Sequence, residues 1–269
     1  MRIGIVTDEI SADIKEALSI GVDWEIKDYE LRCIGSNRVP YITKEDIGII
    51  NDHREKSGIK ITALSPGAFK CALSDTAAIR KNLSETLPKT FELAKKLDCS
   101  KVIIFGFKKD SSQKDNPSEY LNRFTVVLKI LTEASLTAQE SGINLLLENE
   151  PGFWCDTGMN TANIIETVDA PNLKANWDPS NAACSGEKPY PEGYEHIKKF
   201  IAGIHVKDTM GNPLKECVPV GEGIIDWLGQ LKAIVNDGMI DHVTIETHSL
   251  PLIEKSQKNL ERVRKILGI

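Results

Sequence analysis

Short apolar runs alternate with longer amphipathic segments along this chain. The apolar runs predict eight strands, at Arg2–Val6, Asp28–Arg32, Ile59–Leu64, Lys101–Phe105, Ile143–Leu147, Leu173–Trp177, Ile201–Val206 and Val243–Ile245. Segments whose apolar residues recur every three or four positions separate them, which is the spacing of one helix face. This alternation indicates an α/β fold built around a parallel sheet.

The segment after the fourth predicted strand shows the helical pattern most clearly. Its apolar residues fall on one face, at Leu121, Phe124, Leu128 and Leu131. Asn116 can cap this helix, Pro117 suits its first turn, and Gly142 can end it in a left-handed conformation. The segment from Thr76 to Leu97 is predicted to be helical on the same grounds, with Ile79, Leu83, Leu87 and Phe91 on one face.

Glycines mark the ends of several predicted helices. Gly21, Gly58 and Gly142 each stand just before a strand-like segment, where turns from helix to strand favour glycine. The region from Val22 to Leu31 has two interpretations, because it can be strand throughout or a turn followed by a strand.

The number of units and the chain length together favour a closed barrel. The 269 residues give about 34 per unit, enough for a strand, a helix and two turns; a (β/α)8 barrel typically needs about 250 residues. The Gly-x-Gly-x-x-Gly motif of an open dinucleotide-binding sheet does not follow the first strand. We therefore expect residues 1–269 to form a single (β/α)8 TIM barrel.

Composition narrows the class of protein. Hydrophobic residues make up 41% and charged residues 27%, which suits a globular domain with a large core. There is no apolar stretch long enough for a membrane span and no secretory signal at the N-terminus, so we expect a cytoplasmic protein without a membrane partner. A formal charge of −6 disfavours nucleic acid as a partner. The cysteines are scattered and are expected to be reduced.

Polar residues of metal-ligating type lie at or directly after the carboxyl ends of the last four predicted strands. They are Glu148, Asp178, His205 and Glu246, separated by 30, 27 and 41 residues, close to one unit each. Catalytic groups of such barrels project from the carboxyl ends of the strands, so the four should meet at one rim. Each alone is better explained by a salt bridge or a buried hydrogen bond. Their coincidence predicts one shared divalent metal ion, Mn²⁺, Mg²⁺, Zn²⁺ or Co²⁺.

These residues stand in segments that resemble a known group. Leu-Glu148-Asn, Trp-Asp178-Pro-x-Asn, His205-Val-Lys-Asp and Ile-Glu246 are similar to elements of the sugar isomerase/epimerase superfamily with a xylose isomerase-like barrel. The segment from Pro219 to Trp227 resembles its glycine-bearing loop before the seventh helix. The group includes ketose 3-epimerases, pentulose-phosphate 3-epimerases, inosose dehydratases and, more distantly, endonuclease IV.

The resemblance implies roles for the four residues. All four would hold the metal, and Glu148 and Glu246 would also be the acid/base pair. A metal-bound ketose has an acidified C–H, from which one glutamate removes the proton while the opposite one returns it. Many sugar epimerases carry histidine where this chain has Asn181, which can still bind a hydroxyl. Endonuclease IV needs three zinc ions and many histidines, whereas this chain has five, so DNA repair is not expected.

Further candidates line the predicted rim, each with a structural alternative. Lys207 can contact a substrate oxygen or pair with Asp208 or another carboxylate, and His248 can reach substrate from the last loop. Trp154, beside Phe153, can cover the apolar face of a sugar or serve loop packing.

Other charged residues are less specific. Glu30 and Arg32, at the end of the second strand, can bind substrate, brace the ligands or form a structural ion pair. Lysines in predicted rim loops, at Lys70, Lys108, Lys109 and Lys188, leave open whether the substrate is phosphorylated.

The sequence thus predicts a metal-dependent isomerase or epimerase of a ketose or ketose phosphate, with an enediolate intermediate. Three alternatives keep the same site: a dehydratase acting on an inosose or related polyol ketone, a barrel that binds a sugar or metal without turnover, and a metal-dependent lyase or hydrolase. The partner is a small sugar or polyol in each leading case. A homo-oligomer is expected only by analogy with the superfamily.

Overall fold

Eight parallel strands close into a barrel whose order around the ring follows the order along the chain. The structure is a computed structural model that describes residues 1–109 and 117–269. The strands are β1 (Arg2–Val6), β2 (Asp28–Leu31), β3 (Lys60–Ala68), β4 (Lys101–Phe105), β5 (Asn144–Glu148), β6 (Leu173–Trp177), β7 (Ile201–Val206) and β8 (His242–Ile245). Strand β8 pairs with β1 and closes the ring, which confirms the predicted TIM barrel.

Helices surround the barrel. They are α1 (Ile14–Asp23), α2 (Lys44–Ser57), α3 (Thr76–Lys81), α4 (Leu87–Lys96), α5 (Pro117–Glu140), α6 (Gly158–Val168), α7 (Pro179–Cys184), α8 (Tyr194–Ile197), α9 (Trp227–Asp237) and α10 (Leu252–Leu267). Short polar side chains start several of them: Asp13 accepts the Glu16 N–H at 2.9 Å, and Thr43 forms a capping box with Asp46. Two antiparallel ribbons stand above the strands, Cys33–Ile34 with Asn37–Arg38 and Asp208–Thr209 with Cys217–Val218.

The predicted strands agree with the observed ones to within one residue at each end, with one exception. Strand β3 runs on to Ala68, through a register irregularity against β4 between Leu64 and Ala68. The sequence from Ser65 to Ala68 contains Pro and Gly, which are typical of turns, so the local pattern did not predict strand there.

The predicted helices also need correction in places. The segment Thr76–Leu97 is helical, but a π-helical turn at Asn82–Thr86 separates α3 from α4. The helix from Pro117 is confirmed, and its proposed cap Asn116 lies outside the described residues. The region from Val22 begins as the end of α1 and reaches the strand through a turn.

The position of Gly21 before a strand predicted a turn, but this residue lies inside α1. An added Cβ there would clash with the hydroxyl of Tyr29. Close packing of α1 against β2, and not a left-handed conformation, therefore requires glycine at this position. By contrast, Gly58 and Gly142 have φ of 65° and 72° and do follow helices, as predicted.

Alternation along the strands divides the core into two parts. Leu145 and Leu147 belong to the large apolar cluster, whereas Leu146 packs with Ala63 and Ile103 in a separate small cluster. Because successive side chains of a strand point to opposite faces, Glu148 projects to the same side as Leu146, into the barrel.

Two predictions from composition can be compared with the structure. Among the described residues there is no helix with the length and apolar character needed to cross a bilayer. All six cysteines are free thiols, as expected for scattered cysteines.

Candidate metal centre

The four candidate residues at the ends of the last four strands meet inside one end of the barrel. Glu148 is the last residue of β5, and Asp178 follows β6 directly, where it caps α7. His205 lies within β7, and Glu246 follows β8. All four are buried, and one ligand atom from each lies within 4.8 Å of the others. The four side chains therefore converge, as their positions at strand ends predicted.

The donor atoms fit a divalent ion. Two ligands on one ion at about 2.1 Å each are at most roughly 4.2 Å apart, so small side-chain movements would bring all four into contact with it. Nδ1 of His205 lies 3.3 Å from Glu246 Oε2 and 3.6 Å from Glu148 Oε1. This buried nitrogen makes no hydrogen bond with any described residue, as expected for an atom reserved for an ion.

Glu30 orients the imidazole from behind. Its Oε2 lies 2.9 Å from His205 Nε2, so Nδ1 faces the cluster. A carboxylate on the far nitrogen is the usual partner of a metal-ligating histidine. Burial lowers the pKa of His205, but the charges of Glu30, Glu246 and Glu148 outweigh it and raise the pKa well above its ordinary value.

Asn149 fixes the position of Asp178. Its Oδ1 accepts the Asp178 N–H at 2.8 Å, and its Nδ2 donates to the Asp178 carbonyl at 2.8 Å. Oδ1 of Asp178 accepts the Asn181 N–H at 2.9 Å, which leaves Oδ2 for the cluster. The side-chain amide of Asn149 thus forms two hydrogen bonds with the backbone of Asp178, and these bonds join the end of β5 to the end of β6.

The two glutamates have different surroundings. Three basic side chains contact Glu246: Arg32 Nη1 at 2.8 Å, Lys207 Nζ at 2.7 Å and His248 Nε2 at 2.9 Å. Burial raises the pKa of Glu246, but Lys207, His205 and His248 lower it well below its usual value. Glu246 is therefore a carboxylate at neutral pH.

Glu148 has fewer compensating groups. Its Oε2 accepts a hydrogen bond from Asn176 Nδ2 at 3.2 Å. Burial raises its pKa and His205 lowers it, and the pKa ends below its ordinary value. Asn176 can fit here because Gly203 on the adjoining strand has no Cβ, which would otherwise press against the Asn176 amide. A glycine thus supports this side of the site.

Lys207 forms ion pairs with two of the four candidate ligands. Its Nζ lies 2.7 Å from Asp178 Oδ2 and 2.7 Å from Glu246 Oε2. Asp208, the neighbour suggested by the sequence, is occupied elsewhere, because its carboxylate accepts backbone N–H groups of Thr209, Gly221 and Ile225. This explains the glycine-bearing loop, which wraps around a buried carboxylate.

Arg32 forms a structural ion pair, which was one of the alternatives from the sequence, and it also forms an ion pair with Glu246. Its guanidinium contacts Asp8 at 2.9 Å and Glu9 at 2.6 Å besides Glu246. Glu9 in turn accepts the His248 N–H at 2.8 Å. The first and last strands are thereby tied together at the rim.

A cavity of about 400 Å³ opens above the cluster, within the size range of small-ligand pockets. Glu148 and Glu246 lie in its wall, together with the predicted substrate-binding residues Asn181, Lys207 and His248. Nδ2 of Asn181 is already used, since it donates to the Asn149 carbonyl at 2.9 Å.

Trp154 does not line this cavity, and its predicted contact with substrate is corrected on that ground. The indole is buried against Tyr120 and Phe124, with ring centroids 5.0 and 6.2 Å away. Phe153 packs on Phe105. The alternative of loop packing describes both aromatic residues. The sequence could not distinguish contact with a sugar from loop packing, because the position of Trp154 depends on where α5 passes.

Of the four candidate lysines, one lines the cavity and three do not. Lys70 lines the cavity, where it pairs with Glu150 at 3.1 Å. Lys109 pairs with Asp156 at 2.7 Å and Lys188 with Glu192 at 3.5 Å, outside the cavity wall, and Lys108 is exposed. Only the first of them is placed to influence a ligand.

Three residues that position the candidate ligands were not predicted from the sequence: Asn149, Asn176 and Glu9. Each is a polar residue in or beside an apolar strand, and that signal was available. Their hydrogen-bond partners were not, because these come from other strands.

The family model of the xylose isomerase-like TIM barrel matches residues 20–266. The chain belongs to this family. The match spans seven of the eight strands and all four residues of the buried cluster, so the resemblance seen in the strand-end motifs extends over the barrel.

Two curated relatives illustrate the range of this xylose isomerase-like family. The uncharacterized protein MJ1311 of Methanocaldococcus jannaschii is 24% identical over 245 residues, which cover 89% of this chain and 81% of that protein. The 3-dehydroshikimate dehydratase of Bacillus anthracis is 28% identical over 137 residues, which cover 47% of this chain and 46% of the dehydratase.

Solved structures share the whole barrel. A D-tagatose 3-epimerase-like protein superimposes with a TM-score of 0.81 at 19% identity, covering 100% of this chain and 98% of its own. The IolI protein, whose crystal structure has a bound zinc atom, superimposes with a TM-score of 0.78 at 21% identity, covering 99% and 96%. At these identities the likeness establishes the fold.

Proposed function

We propose that the protein is a divalent-metal-dependent isomerase or epimerase that acts on a ketose or ketose phosphate through an enediolate. One observation carries the proposal: four buried ligand-type side chains converge below a cavity of about 400 Å³, and two of them are glutamates that also line it. The epimerase-like and zinc-binding relatives of the same fold support this assignment.

Glu148, Asp178, His205 and Glu246 would hold the ion. Three carboxylates and one imidazole suit Mn²⁺, Mg²⁺, Zn²⁺ or Co²⁺. A divalent ion in this position supplies Lewis acidity, which makes the C–H beside a ketose carbonyl easier to deprotonate.

The two glutamates would move the proton. Glu246 is kept ionised by Arg32, Lys207 and His248, so it can accept a proton from carbon. Glu148 comes from β5, separated from β8 by two strands, and approaches the cavity from another side. If one carboxylate takes the proton from carbon and the other, carrying a proton exchanged from solvent, delivers it to the opposite face, the carbon between them is inverted, which is epimerisation.

Neighbouring residues would bind and orient the sugar. Lys207 and His248 can each direct an N–H toward a substrate oxygen from the cavity wall. Asn181 is more constrained, since its side chain bonds to Asn149, and we assign it mainly to holding the end of β5 against α7.

The test is proton exchange. The protein, reconstituted separately with Mn²⁺, Mg²⁺, Zn²⁺ or Co²⁺, is incubated in deuterated water with free and phosphorylated ketoses, and the sugars are analysed by NMR. We expect deuterium at the carbon beside the carbonyl, only with metal present. No incorporation into any sugar of either panel would refute the proposal.

A dehydratase is the second candidate, favoured by the partial similarity to 3-dehydroshikimate dehydratase. The same proton abstraction beside a carbonyl would then be followed by loss of a hydroxyl group. The enone product absorbs in the ultraviolet, so absorbance during incubation with inososes and related polyol ketones separates the two reactions. Ligand recovered unchanged despite measurable affinity would instead indicate a barrel that binds without turnover.

A further inference from the structure

Arg38 lies in the wall of the same cavity as Glu148 and Glu246. It belongs to the ribbon Cys33–Ile34 with Asn37–Arg38, which follows β2, and its side chain is half-buried. It belongs neither to the four candidate ligands nor to the groups that hold them.

The guanidinium is held in one place by β3. Nε donates to the Ser65 carbonyl at 2.8 Å, and Nη2 donates to the Ser65 hydroxyl at 3.1 Å. Gly67, with φ of +72°, lets the guanidinium approach the backbone, because an added Cβ would lie 3.0 Å from its Cζ and Nε. A group positioned in this way loses little conformational freedom when it binds a ligand.

Arg38 lacks the charged partner that three other cations of the wall have; Lys215, a further cation of the wall, is exposed and likewise makes no ion pair with a described residue. Arg32, Lys70 and Lys207 each lie within 3.1 Å of a carboxylate. For Arg38 there is no ion pair with any described residue, and its two hydrogen bonds go to an uncharged serine. A guanidinium has five N–H donors, so roughly three remain for a ligand.

We infer that Arg38 binds an anionic group of the substrate, a carboxylate or a phosphate. A planar guanidinium pairs with such groups through two parallel N–H···O bonds, and a half-buried charge is stabilised by an opposite charge. The inference rests on the proposed function and narrows it: the substrate is an acidic ketose, either a keto sugar acid or a ketose phosphate, with its anionic end at Arg38 and its carbonyl end at the metal centre.

The experiment measures binding, not turnover. Metal-replete protein is titrated by calorimetry with D-fructose, D-fructose 6-phosphate and 5-keto-D-gluconate, so that the last two arms distinguish phosphate from carboxylate. We expect at least one anionic probe to bind roughly tenfold or more tightly than D-fructose, as a charge-assisted pair would give. Arg38→Met should remove this preference, so that the anionic probes bind no more tightly than D-fructose.

Two further variants make the result specific. Arg38→Lys keeps the charge without the fork and should retain part of the preference; it also covers the case in which Arg38→Met does not fold. Arg80→Gln changes an exposed arginine of α3 outside the cavity wall and should retain all of it.

The outcomes separate this inference from the proposed reaction. Equal binding of neutral and anionic probes, or a preference that persists in Arg38→Met, would overturn the anion site while deuterium exchange could still support the reaction. An anion preference lost in Arg38→Met, without deuterium exchange into any ketose, would refute the reaction and leave the anion site in place.

Discussion

Glu30 and His205 come from strands that are not neighbours in the barrel, yet Glu30 Oε2 lies 2.9 Å from His205 Nε2. The contact is buried and spans 175 positions of the chain. It determines which imidazole nitrogen faces the carboxylates, and so links a residue outside the candidate ligand set to the metal affinity of that set.

Removing this contact should weaken metal binding. We expect Glu30→Ala to lower the affinity for Mn²⁺ or Zn²⁺ by roughly 10- to 100-fold, the usual effect of losing such a partner, and Glu30→Gln to lower it less. Competition with a chelator measures the affinity. Glu166→Gln, at an exposed carboxylate paired with Lys199, is the matched control. An affinity unchanged in Glu30→Ala would mean that Glu30 does not orient the ligand.

Loss of either glutamate of the acid/base pair should stop proton exchange. We expect Glu246→Gln and Glu148→Gln to lower deuterium incorporation by roughly 10²- to 10⁴-fold, the usual contribution of a positioned general base. Asn181→Ala should cause a smaller loss, because its side chain bonds to Asn149. Metal content is measured on each variant, and a wild-type exchange rate in either metal-loaded glutamine variant would contradict the assignment.

Metal affinity should increase with pH. Without metal, the pKa of His205 is raised well above its ordinary value, so at neutral pH its imidazole is protonated. An ion must displace that proton, and the displacement becomes easier as the pH rises toward the raised pKa. Calorimetry in buffers of different protonation enthalpy should detect proton release on binding at neutral pH. Affinity that is constant from mildly acidic to alkaline pH would show that His205 binds no proton.

Gly21 should not tolerate a larger side chain, although it lies in a helix. Gly21→Ala adds a Cβ that clashes with the Tyr29 hydroxyl and should destabilise the protein by about 1–3 kcal/mol. Gly48→Ala, inside α2 with open space around it, should instead be neutral or stabilising by up to about 1 kcal/mol. Urea denaturation measures both, and equal effects would contradict the packing argument.

Much of the barrel was predictable because its signals are local. Apolar runs gave all eight strands, and each candidate ligand stands where an apolar run ends, as Glu148 and Asp178 show. The predictions that needed correction depend on distant residues. Trp154 packs on α5, outside the cavity. Gly21 is required because a Cβ at this position would clash with Tyr29 of the next strand. Local periodicity contains no information about such partners.

His205 and Arg38 show which features could be predicted from the sequence and which depend on the tertiary structure. His205 was a candidate from the sequence only because it coincides with three other ligand-type residues at strand ends, and the alternation of strands and helices predicted which rim it reaches. Only the tertiary structure decided which of its nitrogens is directed at the cluster, and that Arg38 stands in the cavity wall with its charge unpaired by any described residue. The physical reason is range: periodicity and capping act within a few residues, whereas hydrogen bonds and ion pairs join groups that only the closed barrel brings together.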